Sequence, residues 1–470
     1  MQIEMTRKRS LLQESGGPRA FAQSRSATAA KPPASPGNLA GAAPSAVGAE
    51  LEVEKLIAEG NALGRLSDGR VVILQGAVPG DRVVLEQVSE QKGLVRGLGY
   101  RVTEPSPLRV TPHCPVFAEC GGCDWMMLSA TEQRAHKLSV LREVLLRTAK
   151  LELGERAIPL FVGPSAAGYR RRVRLQVVGG KIGFYARASH ALVEPDPCAV
   201  SSLALNAGLR ELRQLTRSAP ATLAGVRSLE LREACDGQLS LFLEREEAAP
   251  ADVPGIDRLR ARFLCALGAA EAESPALWQR FELSERAYLL APPGCFTQVN
   301  WQVNRELIQR VSSAARERGV RSFLDAHAGA GNFALPLLAE GIAGSSIECN
   351  RLAVLAAREA ARRQGLPADG FMIGDCARIA PELLRQGRRF DLVLLDPPRA
   401  GVKHGLRELA ALSAGWLAMC SCNPVTLARD LRVLLDLGFE LDEIAGFDMF
   451  PETHHLEVLV WLRAPLSARR

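Results

Sequence analysis

The sequence predicts an α/β protein with a doubly wound parallel sheet in its C-terminal half. From about residue 292 onward, short apolar runs alternate with helical segments, which is the rhythm of βαβ units. A glycine-containing loop, residues 325–333, joins the first of these strands to the next helix, as in nucleotide-binding folds. Closely spaced strands with glycine turns in residues 51–108 predict a small β-barrel ahead of this sheet.

The length of 470 residues allows about two to four domains. We place a tail at residues 1–50, a barrel at 51–108, a central α+β domain at 109–290 and the α/β domain at 291–470. Apolar residues make up 47% and charged residues 23%, which is ordinary for a soluble globular protein. Because no apolar run reaches about 18 residues, we expect no membrane span. The net charge of +6 is compatible with an anionic partner.

The first fifty residues differ in composition from the rest of the chain. They are rich in Ala, Ser, Pro and Gly and contain few large apolar side chains, so they cannot bury enough surface to offset the ordering entropy. We predict a disordered tail, with an organelle transit peptide or a start codon placed too far upstream as alternatives. There is no secretory apolar segment, so we expect a reducing, cytoplasmic location. No protein partner is evident, and we expect a monomer.

Residues 51–108 predict a barrel of the OB type. Leu51–Glu54 alternates, Arg70–Leu74 forms a second strand, and a turn at Pro79–Asp81 leads into the strand Arg82–Val88. This segment resembles the TRAM domain, an RNA-binding barrel of tRNA- and rRNA-modifying enzymes. A structural barrel without RNA contact is the alternative, since small barrels have many functions.

Four cysteines form the predicted metal centre. Cys114, Cys120 and Cys123 lie close together, and Cys198 in a Glu-Pro-Asp-Pro-Cys segment is the best fourth candidate. Four thiolates suit an iron–sulfur cube or a structural zinc ion, and the sequence leaves both open. Disulfides are disfavoured in a reducing compartment. Ordinary core thiols are the alternative, which is how we interpret the remaining cysteines outside the C-terminal Ser-Cys-Asn-Pro segment.

A basic strand follows the cysteines. The alternation of Tyr169–Val177 places Arg170, Arg172 and Arg174 on one face. Such a row suits contacts with RNA phosphates, which weaken as salt rises. A solvated face of a sheet is the alternative interpretation.

Successive strands of the C-terminal half end in acidic residues. The first strand, Val320–Ala326, follows a helix at Asn304–Arg318 and leads through the glycine loop to a helix at Phe333–Ala339. Glu348 ends the second strand about twenty positions after the glycines, where an acid reaches ribose hydroxyls. The later strands Phe371–Asp375 and Phe390–Leu395 end at or next to further acids. This order predicts a site for a nucleotide-like methyl donor. A nicotinamide-binding site is the alternative, although the loop has one glycine fewer than that fingerprint.

A thiol and a carboxylate follow this predicted donor site. Cys422 lies in Ser-Cys-Asn-Pro, and Glu457 ends His-His-Leu-Glu. Ring carbons of pyrimidines are poor nucleophiles, so methylating one requires covalent activation by a nucleophile and later removal of a proton. The combination therefore predicts methylation of a pyrimidine ring carbon. Cys420, two positions from Cys422, is the alternative nucleophile.

The chain resembles the class I uridine carbon-5 RNA methyltransferases of the TrmA/RumA superfamily. The likeness covers nearly everything after residue 50 and rests on the cysteine spacing, on residues 296–300, Phe-Thr-Gln-Val-Asn, and on residues 395–401, Leu-Asp-Pro-Pro-Arg-Ala-Gly. Ser-Cys-Asn-Pro at 421–424 and Asp-Met-Phe-Pro at 448–451 complete it. The chain is most similar to the branch that modifies 23S rRNA and carries a TRAM domain and an iron–sulfur cluster.

This resemblance implies a fold, cofactors and roles for residues. The fold is a Rossmann-like class I methyltransferase domain with an N-terminal TRAM barrel and a central domain carrying a 4Fe-4S cluster. S-adenosylmethionine is the methyl donor and RNA, above all 23S rRNA, is the substrate. Cys422 is the nucleophile and Glu457 the base. The implied cluster ligands are Cys114, Cys120, Cys123 and Cys198, and the implied donor site consists of Gln298, His327, Asn332, Glu348, Asp375 and Asp396.

The chain departs from the family pattern in the glycine loop. It reads Asp-Ala-His-Ala-Gly where relatives have an aromatic residue and a cysteine or serine, so His327 replaces an aromatic contact. Three functional alternatives stay open at this point. They are a tRNA uridine substrate, methylation of an exocyclic amino group through Asp396-Pro397-Pro398, and RNA binding by a protein whose methyltransferase domain is inactive.

Overall fold

A computed structural model describes residues 45–91, 93–246 and 253–465. The predicted tail lies outside the described residues except for its last six positions. From Ala46 onward the described residues belong to one compact unit. Among the described helices, none has the length and apolar character needed to cross a membrane.

The first five strands close into a barrel, as predicted. Their order around the barrel is β1-β2-β3-β5-β4. The barrel is filled by side chains such as Val53, Leu74 and Leu85. The strands are β1 (Glu50–Leu56), β2 (Asn61–Arg65), β3 (Val71–Gln75), β4 (Arg82–Gln91) and β5 (Leu94–Glu104), and a 3₁₀ turn at Ala58–Gly60 links the first two.

A buried carboxylate fixes the predicted turn before β4. The Asp81 carboxylate accepts hydrogen bonds from the backbone N–H of Val78 at 2.7 Å and of Ser106 at 2.9 Å. The Arg109 guanidinium donates to both of its oxygens, at 2.7 and 2.6 Å. Because every bond is to the charged form, Asp81 joins the barrel firmly to the segment that follows it.

The central region contains an antiparallel sheet with one parallel pair. Its order is β12-β11-β10-β7-β8-β9, and only β11 and β12 run parallel. Helix α2 packs its apolar face into the core of this sheet. The elements are α1 (Ala130–Val144), which continues as a π-helical turn at Leu145–Ala149, β6 (Leu160–Val162), β7 (Arg172–Val178), β8 (Lys181–Tyr185), β9 (Leu192–Val193), α2 (Leu203–Ser218), a 3₁₀ turn at Pro220–Leu223, β10 (Val226–Glu233), β11 (Leu239–Arg245), α3 (Ile256–Arg260), β12 (Leu264–Leu267), α4 (Gly268–Ala272), a 3₁₀ turn at Pro275–Leu277, β13 (Gln279–Glu282) and β14 (Tyr288–Ala291). Strands β13 and β14 form a separate antiparallel pair.

The C-terminal sheet has eight strands in the order β17-β16-β15-β18-β19-β21-β20-β6. The strands from β17 to β19 run parallel, and β21 runs antiparallel to both of its neighbours. The elements are α5 (Trp301–Glu317), β15 (Ser322–Ala326), α6 (Ala334–Ala339), β16 (Ala343–Glu348), α7 (Arg351–Arg363), β17 (Phe371–Ile373), α8 (Cys376–Arg385), β18 (Phe390–Leu395), α9 (Leu406–Ala411), β19 (Ser413–Ser421), α10 (Pro424–Asp436), β20 (Glu440–Asp448) and β21 (Glu457–Arg463).

Helices cover both faces of this sheet. Alternate residues of β18 point into two different cores: Leu392 and Leu394 into one, Val393 and Leu395 into the other. A strand buried on both faces is read in the sequence as a continuous apolar run, which is why β18 was predictable residue for residue. The predicted strand and helices around the glycine loop agree with β15, α5 and α6 within a few residues at each end.

Two elements of the predicted central domain pack against the C-terminal sheet instead. Strand β6 pairs in parallel with β20, joining residues 160–162 to residues 446–448. The end of α1 lies in the core beneath α10, with Leu141 and Leu145 fully buried there. The chain therefore crosses between the two sheets twice. The domain boundaries stay predictions.

A buried ion pair ties α1 to the end of β20. Lys137 Nζ lies 2.7 Å from Asp448 Oδ1, and the two side chains are 0% and 3% exposed. The same ammonium donates to the carbonyl oxygen of Phe450 at 3.0 Å. Arg134 is the next cation to Asp448, at 3.5 Å. Removing one partner of such a pair leaves a charge buried without full compensation.

We expect Lys137→Ala to lower the free energy of unfolding by about 3–5 kcal/mol. The matched control is Lys55→Ala, which removes the partner of Glu143 from a pair whose side chains are 38% and 26% exposed. That variant is expected to lose less than about 1 kcal/mol, because exposed pairs are screened by water. Urea unfolding followed by fluorescence measures both, and equal losses would contradict the assignment.

Candidate functional site

The predicted donor residues meet at one edge of the C-terminal sheet. Parallel strands β15, β16, β17 and β18 all end there, so the residues that follow them converge. His327 follows β15, Glu348 ends β16, Asp375 follows β17 and Asp396 follows β18. The structure therefore brings four of the predicted side chains to a single edge.

Glu348 connects the glycine loop to the second strand. Its Oε2 accepts a hydrogen bond from the backbone N–H of Gly329 at 2.9 Å, and its Oε1 accepts from the N–H of Asn350 at 2.7 Å. Gly329 and Gly331 have φ values of +56° and +91°, which favour glycine. At Gly331 a side chain would also meet Leu335 at 2.9 Å. The loop thus follows a path that only these residue types allow.

His327 has an unusual conformation for a residue with a side chain, with φ at +66°. Its Nε2 is buried and has no hydrogen-bond partner among the described residues. Burial lowers the pKa of His327, although the nearby Glu348 and Asp375 carboxylates oppose that shift. A neutral imidazole with an unused nitrogen is the kind of group that a bound molecule satisfies.

Two of the other predicted donor residues have hydrogen-bond partners in the structure. Asn332 exchanges two hydrogen bonds with Asn304 of α5, at 2.9 and 3.1 Å. The Asp375 carboxylate accepts from the N–H of Ala377 at 2.8 Å and caps α8. Gln298 is buried just ahead of α5. These contacts hold the edge in shape, while donor contacts by the same side chains stay predictions.

Cys422 and Glu457 lie next to each other. Strands β19 and β21 pair with Ser421 opposite Val458, so the next pair outward is Cys422 and Glu457. Burial and the neighbouring Glu457 raise the pKa of the Cys422 thiol to about 12, while Arg399 acts to lower it. Burial raises the pKa of Glu457 well above its usual range, and Asp396 adds to that shift.

The alternative nucleophile, Cys420, lies in the core. It is 0% exposed inside β19 and packs in one of the two hydrophobic cores. Cys422 lies beyond the end of that strand and is partly exposed. The geometry therefore favours Cys422 as the thiol that a substrate can reach.

The carboxylates at this edge repel one another. Burial raises the pKa of Asp396 to about 7, and Glu348 contributes to the shift. Asp325 at the end of β15 is fully buried, and burial together with Asp396 raises its pKa well above the usual range. We gave Asp325 no role from the sequence, although it opens the glycine loop motif.

Arg399 is a second residue that the sequence left without a role. Its Nη2 lies 2.9 Å from His455 Nε2. Its carbonyl oxygen accepts from Asn423 Nδ2 at 3.3 Å and from Thr426 Oγ1 at 3.1 Å, just after Cys422. The sequence contains the Asp-Pro-Pro-Arg and His-His-Leu-Glu motifs, but only the fold brings the two together.

The four predicted cluster cysteines line one cavity of about 530 Å³. None is in a disulfide. Burial raises the pKa of Cys123 to about 12, Arg170 opposes the shift, and Cys198 and Cys120 add to it. The backbone N–H of Gly122 donates to Cys120 Sγ at 3.4 Å. Within the part of the chain that the structure describes, no three His, Cys, Asp or Glu side chains are grouped as around a metal ion.

The predicted arginine row is partly neutralised. Arg172 lies 3.3 Å from Glu230, and Arg174 forms an ion pair with Glu244. Arg172 also lies over the ring of Phe296, 4.6 Å from its centroid. These internal pairs reduce the charge that the row offers to phosphates.

Comparison with known proteins decides the family. Residues 378–465 match the model of the tRNA (Uracil-5-)-methyltransferase family. A 23S rRNA (uracil(1939)-C(5))-methyltransferase RlmD from Halomonas elongata is 34% identical over 457 residues, covering 90% of each chain. The enzyme of the same name from Pseudomonas putida is 31% identical and covers 88% of this chain and 93% of its own. The chain belongs to the RNA (uracil-C5)-methyltransferase family.

This membership confirms the predicted reaction, S-adenosylmethionine-dependent methylation of uridine at carbon 5 in RNA. The same membership favours this reaction over methylation of an exocyclic amino group and over RNA binding by an inactive methyltransferase domain. The solved Pyrococcus abyssi tRNA (uracil-54, C5)-methyltransferase, in complex with S-adenosyl-L-homocysteine, has a similar fold. Its TM-score is 0.67 at 23% identity, covering 87% of this chain and 99% of that one.

The raised carboxyl pKa values predict how this RNA (uracil-C5)-methyltransferase depends on pH. A general base accepts a proton only when ionised. The pKa of Glu457, the predicted base, is raised, and that of the neighbouring Asp396 is about 7. We expect the single-turnover methylation rate to rise with pH across the neutral range and to keep rising above it, because the Cys422 thiol ionises only at higher pH. Rapid-quench assays at a series of pH values measure this.

Asp396→Asn provides the control for that profile. It removes one negative neighbour of both Glu457 and Cys422, so the pH profile is expected to move to lower pH, whatever happens to the maximal rate. A rate independent of pH between about 6 and 8 in both proteins would contradict the assignment.

Proposed function

We propose that this enzyme methylates carbon 5 of a uridine in 23S rRNA, with Cys422 as nucleophile and Glu457 as base. The observation that carries the proposal is the pairing of β19 with β21, which places this thiol and this carboxylate side by side at the edge that holds the donor residues. The partial exposure of Cys422 supports its access to a base.

Cys422 activates the pyrimidine ring in the first step. Its thiolate adds to carbon 6 of uracil and forms a C–S bond, while the electrons of the C5=C6 bond move toward oxygen 4 as an enolate. Carbon 5 then becomes nucleophilic. Asp396 lies at the same edge and is suited to contact the uracil imide or the methyl donor.

Glu457 completes the reaction. Carbon 5 of the enolate attacks the methyl carbon of S-adenosylmethionine, the bond between that methyl group and the sulfonium sulfur breaks, and S-adenosylhomocysteine leaves. Glu457 then takes the proton from carbon 5, the C5=C6 bond forms again, and the thiolate of Cys422 leaves carbon 6. A carboxylate whose pKa is raised by burial is a stronger base for this proton than an exposed one.

The donor site is proposed from the residues at the sheet edge. Glu348 suits the ribose hydroxyls, Asp375 the adenine, and the unpaired Nε2 of His327 a further polar group of the donor. Gln298 and Asn332 lie on the segments that border this edge. Both carboxylate oxygens of the fully buried Asp325 have no hydrogen-bond partner among the described residues.

The choice of 23S rRNA over tRNA rests on the extent of the similarity. The rRNA enzymes are 34% and 31% identical to this chain, whereas the solved tRNA enzyme, which covers 87% of it, is 23% identical. The target base has to leave its stack to reach Cys422, at a cost of a few kcal/mol that is smallest in a single-stranded loop. We propose that the barrel at residues 50–104 is a TRAM domain that contacts this RNA.

Trapping with 5-fluorouridine RNA tests the mechanism and the substrate. Fluorine at carbon 5 cannot be removed as a proton, so the enzyme is expected to stall as a covalent adduct visible on a denaturing gel. We expect an adduct with fluorinated 23S rRNA fragments, none with Cys422→Ala, and an undiminished adduct with Cys420→Ala as control. Glu457→Gln is expected to accumulate adduct even with unmodified RNA.

Other results of that assay have clear meanings. An adduct with fluorinated tRNA alone would move the substrate to tRNA. Methylation at carbon 5 by Cys422→Ala at the wild-type rate would contradict the assignment of the nucleophile.

We further propose that Cys114, Cys120, Cys123 and Cys198 hold a 4Fe-4S cluster. All four line one cavity, which supports a shared ligand. A single zinc ion needs its sulfurs about 2.3 Å from one point, whereas a cube spreads them more widely. The cysteine spacing resembles that of the family branch that carries an iron–sulfur cluster, which favours the cube. Arg170 beside Cys123 would offset negative charge there.

Protein purified without oxygen is expected to contain iron and acid-labile sulfide and to absorb broadly in the visible range. Cys123→Ser should lose most of this signal, while Cys235→Ser, an exposed cysteine outside the cavity, should retain it. Stoichiometric zinc without sulfide would overturn the cluster.

A further inference from the structure

Arg399 lies between the proposed nucleophile and a histidine of the loop that carries the base. Its carbonyl oxygen accepts from Nδ2 of Asn423, the residue after Cys422, at 3.3 Å, and its positive charge acts to lower the pKa of the Cys422 thiol. It also acts to lower the pKa of Glu457. On its other side, Nη2 lies 2.9 Å from His455 Nε2. One cation therefore faces both reacting groups.

The chemistry of the His455 contact fixes its protonation. A guanidinium donates hydrogen bonds and accepts none, so Nε2 of His455 must be the acceptor and the ring proton resides on Nδ1. Burial lowers the pKa of His455 to about 2, with His454, Arg399, Lys137 and Arg170 contributing, so the imidazole stays neutral. His455 therefore orients Arg399 without competing with its charge.

The loop that carries His455 is braced from the N-terminal side. The ring of His454 lies 4.0 Å from that of His455, centroid to centroid, and pairs with Asp124, next to Cys123. The neighbouring Trp125 donates from Nε1 to the carbonyl oxygen of Gly60 in the barrel at 3.1 Å. These contacts connect His454 and His455 to the cysteine segment and the barrel, and so fix the positions of the two rings.

We propose that Arg399 is a further catalytic residue, which stabilises the Cys422 thiolate before addition and after elimination, and that His455 is its positioning residue. This inference rests on the proposed function, because it assumes that Cys422 is the nucleophile. Arg399 adds a cation to a site in which the other charged groups near Cys422, Glu457 and Asp396, are acids.

Arg399 transfers no proton in this step. The Cys422 thiol loses its proton to solvent, and the guanidinium, which stays charged, only stabilises the anion left on sulfur. The charged groups that face Cys422 are Glu457, Asp396 and Arg399. Two carboxylates disfavour the thiolate, so the single guanidinium decides how much thiolate is present near neutral pH.

The test measures the reactivity of Cys422 in the whole enzyme without RNA. Iodoacetamide alkylation is followed at a series of pH values, and the peptide with Cys422 is quantified by mass spectrometry. In Arg399→Gln the rising part of the rate–pH profile is expected to be displaced toward higher pH by roughly one to three units, which is at least about a 10-fold lower alkylation rate at a given pH. Arg399→Lys should recover part of the shift, and Arg407→Gln, an exposed arginine on α9, should show none.

His455 has a separate readout. His455→Ala should displace the rate–pH profile by less than Arg399→Gln does, and His455→Asn, which keeps an acceptor, should restore most of the wild-type profile. Adduct formation with 5-fluorouridine RNA near pH 7 should fall about 10-fold or more in Arg399→Gln, matching about one pH unit of lost thiolate.

An unchanged alkylation profile in Arg399→Gln would overturn the proposal, whatever the adduct assay gives. Failure of the proposed function is recognised separately. In that case wild-type enzyme forms no Cys422 adduct with fluorinated RNA, while the alkylation profiles still report whether Arg399 acts on the thiol.

Discussion

The arrangement of the whole site depends on one antiparallel strand in an otherwise mainly parallel sheet. Parallel strands place their carboxyl ends at a common edge, which gathers the residues after β15, β16, β17, β18 and β19. Strand β21 runs the other way, so its first residue, Glu457, arrives at that same edge. A parallel strand in that position would have placed the carboxylate at the opposite end, about 20 Å away for a strand of this length.

This convergence places several acidic groups close together in a buried site. Asp325, Asp396 and Glu457 are all buried or nearly so, and burial with mutual repulsion raises the pKa of each. A carboxyl group in such surroundings is a strong base when ionised but is not always ionised. Arg399 partly offsets this crowding next to Glu457 and the Cys422 thiol. The balance between one cation and several acids therefore sets the protonation of the reacting groups.

The N-terminal half contributes to the site by holding the loop at residues 448–456. Lys137 binds Asp448, Gln133 binds Glu452, and Asp124 binds His454. All three partners come from the segment between the predicted cluster cysteines and the end of α1. Tyr169 adds a hydrogen bond from its hydroxyl to the carbonyl oxygen of Pro451 at 3.0 Å. The cysteine-rich segment is thus in direct contact with the loop that leads to Glu457, although more than 300 positions separate them in the chain.

The sequence by itself determined the fold class, the barrel, the order of βαβ units and the reaction. These follow from local patterns: the period of apolar residues, the glycines of the loop, and cysteine and acid motifs whose spacing reflects their chemistry. The buried strand Phe390–Leu395 is the clearest case, since burial on both faces leaves a continuous apolar run.

Only the tertiary structure decided which side chains meet. Cys420 and Cys422 are equivalent in the sequence, but the end of β19 buries one and leaves the other accessible. The placement of β6 and α1 on the C-terminal sheet, the pairing of Arg172 and Arg174 with acids, and the contact of Arg399 with His455 all join residues far apart in the chain. Local periodicity carries no information on such contacts, because they depend on strand order and register, which are fixed by the packing of the complete sheet.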